Sequence, residues 1–438
     1  MKGGGAGERQ FVVLDDDPTG VQTLAGVRVL LAWDVTRIRE SLEHRDAVHL
    51  ITNARALPPE RVQPLIEAAA RAGREAVRGA QILLRGDSTL RGHVREEYLG
   101  VREATTKTAW PVLLLVPALP SAGRITVDGV HVFERDGVRV PLHETEYAND
   151  GVFSYRSARL LDWAEERSRG LFRASTGREL HLDTLRSNGS AAVVDALHEL
   201  AATGEPTVLA PDAETVADLE LIAGGYKQAV QDGAAVIGRC APTFAGVLAG
   251  TTATAAAPLP EADAGVLVVC GSYVPLATRQ LDRLLASRPQ ALVEADVVAL
   301  AGPTPVAEIE RLGAETSAIL ARNRVAVLAT PRERPDGTTS LEAAERIAVN
   351  LARVVGVMDP RPSVLLAKGG ITSAVTLRDG VGASEADVVG PVTPGVSRWA
   401  AFWPDGRPLD YLVVPGNVGD DDLLVELVDG ILSGSGPC

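Results

Sequence analysis

The feature that most constrains the fold is an order of segments that recurs along the chain: a short apolar run, a loop, and a stretch with helical periodicity. Apolar runs of this kind occupy residues 11–14, 81–84 and 110–116 in the first half of the chain, and 325–329 and 364–367 in the second. Short apolar runs rich in β-branched residues are typical of buried strands, and their alternation with helices favours a parallel sheet with helices on its faces. We therefore predict an α/β fold.

The chain is 438 residues long, which exceeds the size of one ordinary hydrophobic core. Residues 251–264 (TTATAAAPLPEADA) are small, contain proline and lack periodicity, so they read as a linker. The alternation of strands and helices restarts after this segment, and residues 291–298 are predicted to form one of the later strands. In the first half of the chain, residues 130–150 carry charges of both signs and are predicted to be irregular. We predict two domains, residues 1–250 and 265–438, each a mostly parallel sheet covered by helices.

Charge and cysteine content narrow the class of protein. A net charge of -14 argues against a nucleic-acid partner or an anionic membrane surface. The three cysteines lack metal-ligand spacing, residues 1–10 lack the apolar core of a signal peptide, and no apolar run approaches the length that spans a bilayer. We expect a cytoplasmic protein that binds a small molecule, without nucleic-acid or membrane partners.

Polar residues follow the predicted strand 81–84 at once: Arg85, Asp87, Ser88, Thr89 and Arg91. In an open parallel sheet, the carboxyl ends of the strands form the edge where ligands bind. Two guanidinium groups and two hydroxyls in a glycine-containing loop can hold a carboxylate. The alternative is a helix cap with surface ion pairs. His93 lies beside this cluster, and we expect it on the surface of the following helix.

Three adjacent aspartates, Asp15, Asp16 and Asp17, follow the predicted strand 11–14. Adjacent carboxylates repel one another, so at least one should gain a hydrogen-bond donor, a cation or a raised pKa. General base, acceptor for a sugar hydroxyl and indirect Mg²⁺ ligand are the functional roles open to them, and a helix-capping turn is the structural alternative. A third junction, after strand 110–116, carries Arg124, for which a solvated loop position is the alternative.

Three strand ends in the second half combine glycine with a hydroxyl or amide: residues 271–272, 368–373 and 416–419. Glycine lets backbone N–H groups approach a phosphate closely, and a helix N-terminus and hydroxyl groups add to the attraction. Lys368 stands out because only four of the 43 basic residues are lysines. Neither of the common glycine-rich nucleotide motifs, G-x-x-x-x-G-K-[ST] and G-x-G-x-x-G, is present, and ordinary strand-to-helix turns are the alternative at each position.

Six short motifs occur in order over nearly the whole chain, and together they resemble the four-carbon acid sugar kinases. They are D-D-x-T-G (16–20), D-S-T-L-R-G (87–92), P-A-x-P-x-x-G-R-x-T (117–126), G-S (271–272), K-x-G-x-T/S (368–373) and P-G-N-x-G (415–419). The resemblance implies an N-terminal domain that binds an acid sugar, a C-terminal domain that binds ATP, and phosphoryl transfer in the cleft between them. The sequence is compatible with a homodimer.

The resemblance also implies roles for individual residues. By this resemblance, the substrate-binding residues are Arg85, Asp87, Ser88, Arg91 and Arg124, and the catalytic residues are Asp16, Asp17 and Lys368. Its ATP-binding residues are Ser272, Gly369, Gly370, Ile371, Thr372, Gly416, Asn417 and Gly419. Either Asp16 or Asp17 would accept the proton of the attacking hydroxyl. Mg²⁺ would bridge the ATP phosphates, with Lys368 or the N–H groups of the glycine turn stabilising the transferring charge, and no protein metal site is predicted.

The sequence departs from the common family pattern in two places, both on the sugar side. Asp15 stands where many members have alanine, and the insertion around residues 130–187 is longer. The Asp-Asp-Asp-Pro-Thr-Gly variant resembles the branch that acts on oxo-acid sugars such as 3-oxo-isoapionate. Two other functions are compatible with the residues: a non-phosphorylating acid-sugar lyase or aldolase whose aspartates hold a metal, and a sugar-acid sensor without turnover.

Overall fold

The structure is a computed structural model, and it describes residues 10–106, 109–149, 151–333, 335–336, 338 and 340–434. The N-terminal segment and Cys438, which entered the sequence-based expectations, lie outside the described residues. Within these residues, no helix combines the length and the apolar character that a membrane crossing requires.

Strands and helices alternate along the described chain. The strands are β1 (Phe11–Asp15), β2 (Arg28–Leu30), β3 (Ala47–Ile51), β4 (Gln81–Arg85), β5 (Val112–Val116), β6 (Arg124–Val127), β7 (Val130–Arg135), β8 (Val138–Pro141), β9 (Arg178–Leu180), β10 (Val208–Pro211), β11 (Val236–Cys240), β12 (Val266–Cys270), β13 (Leu292–Glu294), β14 (Val325–Ala329), β15 (Val364–Lys368), β16 (Glu385–Thr393), β17 (Val396–Phe402) and β18 (Pro408–Val414). The helices are α1 (Val35–Leu42), α2 (Pro59–Ala76), α3 (Val94–Thr105), α4 (Leu160–Arg167), α5 (Leu182–Asn188), α6 (Ser190–Ala202), α7 (Val216–Gln231), α8 (Pro242–Ala249), α9 (Pro275–Ser287), α10 (Val297–Ala301), α11 (Val306–Asn323), α12 (Leu341–Gly356), α13 (Gly370–Val375) and α14 (Leu423–Ser433).

Contacts divide the described chain into two units. The first unit contains the residues up to Gly20 together with Trp33–Thr252, and the second contains Val21–Ala32 and the residues from Ala253 onward. Chain order alone places Val21–Ala32 with the first half. These residues join the second unit because β2 pairs with β16, and Arg28 forms ion pairs with Glu385 and Asp387 on β16.

The sheet of the first unit is parallel throughout, in the order β3-β1-β4-β11-β5-β10-β9. Its central strands are buried on both faces, as their continuous apolar sequences predict. The register pairs Asp15 at the end of β1 with Arg85 at the end of β4. The polar residues after these strands therefore emerge at one edge of the sheet, as the sequence indicated.

A small antiparallel sheet, β6-β7-β8, covers a region that the sequence pattern described as irregular, residues 130–150. That description is wrong for β7 and β8. Both hairpin turns are Asp-Gly pairs, Asp128-Gly129 and Asp136-Gly137, and all four residues have positive φ. Such a two-residue turn matches the twist of the flanking strands, so the sequence did carry the signal for these hairpins.

The sheet of the second unit mixes parallel and antiparallel pairs in the order β13-β14-β12-β15-β18-β17-β16-β2. The pairs from β13 to β18 are parallel, as expected, whereas β18, β17, β16 and β2 pair antiparallel. The strand expected at residues 291–298 is shorter, because the Asp296 side chain accepts hydrogen bonds from the N–H groups of Val298 and Ala299 and starts α10 there. The prediction of two α/β units with mostly parallel sheets is confirmed.

Two aromatic residues of strand β17 test which side chains pack in the core of the second unit. Trp399 is completely buried, and Phe402 on the same strand is 60% exposed. Trp399→Ala should lower the free energy of unfolding by about 3–5 kcal/mol because it removes a large buried side chain. Phe402→Ala, the matched control, should change it by no more than about 0.5 kcal/mol. Urea denaturation measures both, and equal losses in the two variants would contradict the packing described.

Candidate functional site

Asp15 is an anchor of the sheet edge. One of its carboxylate oxygens lies 2.6 Å from Arg85 Nε, and the other lies 2.7 Å from His49 Nδ1. All three side chains are buried. Burial alone would raise the pKa of Asp15, but Arg85 and His49 outweigh it and hold the pKa below its ordinary value. Both oxygens are engaged by the protein, so this additional aspartate supports the site without facing a ligand.

Asp16 forms ion pairs through one of its two carboxylate oxygens. Its Oδ1 atom lies 3.0 Å from both Arg55 Nη2 and Arg85 Nη1, whereas its buried Oδ2 atom has no hydrogen-bond partner among the described residues. Burial raises the pKa of Asp16 to about 6, and Glu97 and Asp17 add to the rise against the two arginines. The sequence predicted that at least one of the three aspartates would gain a hydrogen-bond donor, a cation or a raised pKa, and Asp16 has two arginine partners as well as a raised pKa.

Asp17 is the aspartate of the three that reaches the surface, with 16% of its side chain exposed. Its Oδ1 atom accepts a hydrogen bond of 2.7 Å from the N–H of Thr19, and its Oδ2 atom lies 3.4 Å from Arg55 Nη2. Burial would raise its pKa, but Arg55, Arg85 and the Thr19 hydrogen bonds lower it below the ordinary value. Asp17 is therefore an ionised and accessible carboxylate.

Arg85, which the sequence assigned to the substrate, is almost completely buried and bound by the protein itself. Its guanidinium contacts Asp15 and Asp16 and donates a hydrogen bond to the backbone carbonyl of Asp17. Gly20 permits this arrangement, because a Cβ atom there would lie 2.0 Å from Arg85 Nε. Arg85 holds the three aspartates in place, and its donors point at them.

The sequence pattern did not indicate Arg55, which the structure places at the centre of the cluster. It lies 3.0 Å from Asp16, 3.4 Å from Asp17 and 3.7 Å from Asp87. It belongs to the short 3-10 turn Ala54–Ala56, which follows Asn53 in the left-handed conformation (φ 52°). The sequence signal that could have identified Arg55 was its position just after β3, because the end of β3 lies at the same edge of the sheet as the ends of β1 and β4.

The loop after β4 holds Asp87 and Arg91 together. Asp87 Oδ2 lies 2.6 Å from Arg91 Nε and accepts a hydrogen bond from the Thr89 hydroxyl. Burial would raise the pKa of Asp87, but the Arg55 and Arg91 charges hold it far below its ordinary value. Ser88 is buried, and its backbone carbonyl lies 2.9 Å from His131 Nε2.

Arg91 and Arg124 meet at one aromatic ring. Their guanidinium carbons lie 5.9 and 5.7 Å from the centroid of the Tyr147 ring. The buried Nε atom of Arg124 has no hydrogen-bond partner in the described part of the chain. Two guanidinium groups beside one ring form a place that attracts an anion, and a carboxylate would match their planar donors. The insertion that supplies Tyr147 therefore contributes to this site.

His93 does not lie on a helix surface, contrary to the sequence-based expectation. It immediately precedes α3 and is buried, with Nε2 3.0 Å from the carbonyl oxygen of Leu57. Its ring packs edge-on against Phe153, with centroids 4.9 Å apart. Burial lowers the pKa of His93 against the attraction of Glu97. The residue ties the start of α3 to the segments that contain Leu57 and Phe153.

Three glycine-containing loops of the second unit converge around Ser272 and Thr372. A Cβ atom on Gly271 would lie 2.8 Å from Thr372 Oγ1, and one on Gly416 would lie 2.9 Å from Ser272 Oγ. A Cβ atom on Gly369, whose φ is 111°, would lie 3.2 Å from Ser272 Cβ. The loops approach this closely because these positions carry no side chain.

The remaining residues expected to bind ATP line the same loops. Gly370 is the first residue of α13, Ile371 is half exposed, and Asn417 and Gly419 are exposed in the loop after β18. α13 continues directly into the π-helical turn Thr376–Val381.

Lys368 is completely buried, and its ammonium donates a hydrogen bond of 2.6 Å to the carbonyl of Pro415. Burial lowers the pKa of Lys368 to about 8. The side chain joins the end of β15 to the loop after β18. Its position therefore supports the shape of the glycine loops.

Arg332 is a further residue of this cluster that the sequence pattern did not indicate. Its Nη1 atom donates a hydrogen bond of 2.9 Å to the carbonyl of Ser272, and its guanidinium lies over the Tyr273 ring. Arg332 follows β14, so its position after a strand end was again the sequence signal that could have identified it.

One group of side chains in the described residues has metal-ligand distances: Asp128, His181 and Asp212. The Asp212 carboxylate accepts hydrogen bonds of 2.9 Å from the N–H groups of Asp128 and Gly129. The Asp212 carboxylate therefore holds the hairpin turn between β6 and β7, and this structural role explains why the three side chains lie close together.

Gly20 provides a test of the aspartate cluster. Gly20→Ala should lower the free energy of unfolding by about 1–3 kcal/mol, because the new Cβ atom displaces the Arg85 guanidinium from its carboxylates. Gly151→Ala is the matched control, since no atom lies within 4 Å of its Cβ position. Chemical denaturation measures both variants. An unchanged stability in Gly20→Ala would show that Arg85 does not need this position.

Comparisons with known proteins agree with the fold. Residues 11–248 match a family described as a sugar-binding N-terminal domain, and residues 267–424 match one described as a nucleotide-binding C-terminal domain. A search among curated proteins gave no match.

Solved structures with the same fold include two that align over nearly the whole chain at 18% identity. A Haemophilus influenzae protein of a domain family of unknown function has a TM-score of 0.65 and covers 96% of this chain and 100% of its own. A Salmonella typhimurium LT2 protein described as a candidate tRNA synthase has a TM-score of 0.67 and covers 95% and 98%. At this identity the likeness shows the fold alone. The two domain matches span most of the chain in the expected order, and the protein belongs to the four-carbon acid sugar kinase family.

Proposed function

We propose that the protein is an ATP-dependent kinase that phosphorylates a hydroxyl group of a small acid sugar, either four-carbon or a branched oxo-acid. The observation that carries the proposal is the arginine pair Arg91 and Arg124 at the Tyr147 ring, within a domain described as sugar-binding. Asp87 and Arg55 link this pair through ion pairs to the accessible carboxylate of Asp17. The nucleotide-binding description of the second domain supports ATP as the other substrate.

The arginine pair accounts for the acid group of the substrate. The Nε–H of Arg124 is buried without a hydrogen-bond acceptor among the described residues, and an unsatisfied buried donor carries a free-energy cost that a ligand removes. A bound carboxylate would supply the missing acceptor. Asp87 accepts a hydrogen bond of 2.6 Å from the Nε–H of Arg91 and so helps to hold this guanidinium beside the Tyr147 ring, which Arg124 also contacts.

Asp17 is the better candidate for the catalytic base, although the pKa of Asp16 is nearer neutrality. A base must first reach the hydroxyl from which it removes a proton. The free oxygen of Asp16 is buried, whereas the side chain of Asp17 reaches the surface. A weakly basic aspartate suffices in phosphoryl transfer, where positioning and charge neutralisation supply most of the catalysis. We assign Asp16 to the support of Arg55.

On the nucleotide side, we assign phosphate contacts to backbone N–H groups and hydroxyls of the three glycine loops, in particular at Gly369, Thr372 and Gly416. Their close approach around Ser272 supports this assignment. Mg²⁺ enters bound to the ATP phosphates and neutralises their charge. The buried position of Lys368 favours a role in holding the loops over direct contact with the transferring phosphoryl group.

The pairing of the aspartates disfavours the metal-dependent lyase. Arg55 and Arg85 already supply positive charge to Asp16 and Asp17. A divalent cation at this position would face two guanidinium groups, which fits poorly with a metal centre. The homodimer stays a prediction from the sequence.

The proposed activity predicts Mg-ATP-dependent release of ADP with an acid-sugar acceptor. Threonate, erythronate, 3-oxo-tetronate and 3-oxo-isoapionate form the panel, with the corresponding uncharged sugar alcohols as controls. Turnover with an acid and none with its alcohol would support the arginine pair as the carboxylate site. Absence of turnover together with absence of an ATP-induced rise in melting temperature would contradict the kinase.

Asp17→Asn should lower kcat by about 100-fold or more, because the amide cannot accept the hydroxyl proton. The Kd for ATP, measured by calorimetry, should stay unchanged. Asp195→Asn, an exposed substitution on α6, is the control and should leave kcat unchanged. A normal kcat in Asp17→Asn would show that another group accepts the proton.

A further inference from the structure

Behind the sugar-side loop, defined here as residues 86–92, lies a buried ion pair that the proposed mechanism does not use. Arg239 on β11 and Glu97 on α3 are joined by a contact of 2.9 Å between Nε and Oε2. Their side chains are only 2% and 3% exposed. A buried pair of charges adds little net stability to the fold by itself, so a role in positioning the neighbouring loop would account for this pair.

The guanidinium of Arg239 occupies the space that two loop glycines leave open. A Cβ atom on Gly86 would lie 2.6 Å from its central carbon, and one on Gly92 would lie 2.7 Å from Nη2. The same Nη2 atom donates a hydrogen bond of 3.3 Å to the carbonyl of Arg91. The sugar-side loop is therefore folded around this guanidinium.

Two carboxylate oxygens near Gly92 lack hydrogen-bond partners among the described residues. They are Asp16 Oδ2 and Glu97 Oε1, and both are buried. They lie 3.6 and 3.7 Å from the Cβ position of Gly92. Two negative oxygens beside one enclosed space repel each other, and a proton on one of them would relieve the repulsion and provide a donor.

We propose that Glu97 and Arg239 are positioning residues for the sugar-side loop, and that the charge of Glu97 favours a proton on Asp16 in the space beside Gly92. Glu97 thereby controls the charge on Asp16. A second cation in this space is disfavoured because Arg239 Nη2 already faces it. The effect on catalysis rests on the proposed function, whereas the effect of Glu97 on the Asp16 proton does not.

The electrostatic surroundings of Asp16 agree with this influence of Glu97. Burial raises the pKa of Asp16 to about 6, and Glu97 contributes to the rise. The charged or titratable groups that face the pair from the neighbouring elements are Arg55, Arg85, Asp17, His93 and Arg239. Since a raised pKa means that the proton is lost only above that pH, Asp16 is ionised above about pH 6 and protonated below it.

The charge on Asp16 bears on the proposed reaction through Arg55. Ionised Asp16 holds Arg55, which also contacts Asp17 and Asp87. Protonation of Asp16 weakens that hold, so activity should fall at acid pH. Removal of the charge on Glu97 lowers the pKa of Asp16 and should extend activity to lower pH.

The decisive measurement is a carbon-13 NMR titration of the aspartate carboxyl groups in the full chain, with Asp16→Asn to assign the Asp16 signal. Glu97→Gln should move the Asp16 midpoint to lower pH by at least about half a unit, because a neutral amide replaces the neighbouring charge. Glu103→Gln, the same change at a partly exposed position near the end of α3, should leave the midpoint in place.

The loop role has its own measurement. Amide hydrogen exchange over residues 86–92 should accelerate about tenfold or more in Arg239→Met, because the loop loses the group around which it folds. Arg239→Lys keeps the charge and should restore part of the protection. In an active enzyme, these variants should raise KM for the acid sugar more than KM for ATP, and Glu97→Gln should shift the acid limb of kcat/KM downward.

An Asp16 midpoint that is unchanged in Glu97→Gln would overturn the influence of Glu97 on the Asp16 proton, and unchanged exchange in Arg239→Met would overturn the loop role. If Arg239→Met does not fold, Arg239→Lys and Glu97→Gln still decide the two parts. Neither titration nor exchange requires turnover. A failure of the kinase assay would therefore be distinguishable from a failure of this inference.

Discussion

The first unit depends on the ion pair between Arg85 and Asp15, which lies at the buried end of two adjacent parallel strands. The register of β1 and β4 places these residues opposite each other, and His49 completes the pairing of the carboxylate. A buried charge without a partner costs several kcal/mol, so any register shift between these strands would be strongly unfavourable. The pair thereby fixes where the chain leaves the sheet, and with it the positions of Asp16 and Asp17.

Much of the candidate site could be predicted because parallel strands end at a common edge. That rule brought the loops after β1 and β4 together from sequence alone. It could not assign donors to acceptors: Arg85, expected to hold substrate, is bound by aspartates, while Arg55, which no motif marked, contacts three carboxylates. Pairing at this level depends on strand register and side-chain rotamers, which periodicity does not encode.

The antiparallel strands show where the sequence patterns were insufficient. Strand β16 contains Gly390 and Pro391, which usually argue against a strand interior. The structure accommodates them with irregularities in the pairing with β17, where Gly390 adopts a φ of 149°. The Asp-Gly turns of the small sheet were a readable signal, but the mixed charges around them suggested an irregular segment. The small sheet bears on the proposed function because its first strand begins with Arg124.

Under the proposed function, the two candidate sites would bind different anions with different groups. A carboxylate is planar and small, and the guanidinium groups of Arg91 and Arg124 match its shape. Phosphates are accessible from many directions, and backbone N–H groups in glycine loops can surround them without adding net charge. On that assignment, a chain with a net charge of -14 could serve two anionic ligands, because the guanidinium pair supplies positive charge where the carboxylate would bind. On the nucleotide side, Lys368 supports the loops through its hydrogen bond to the carbonyl of Pro415.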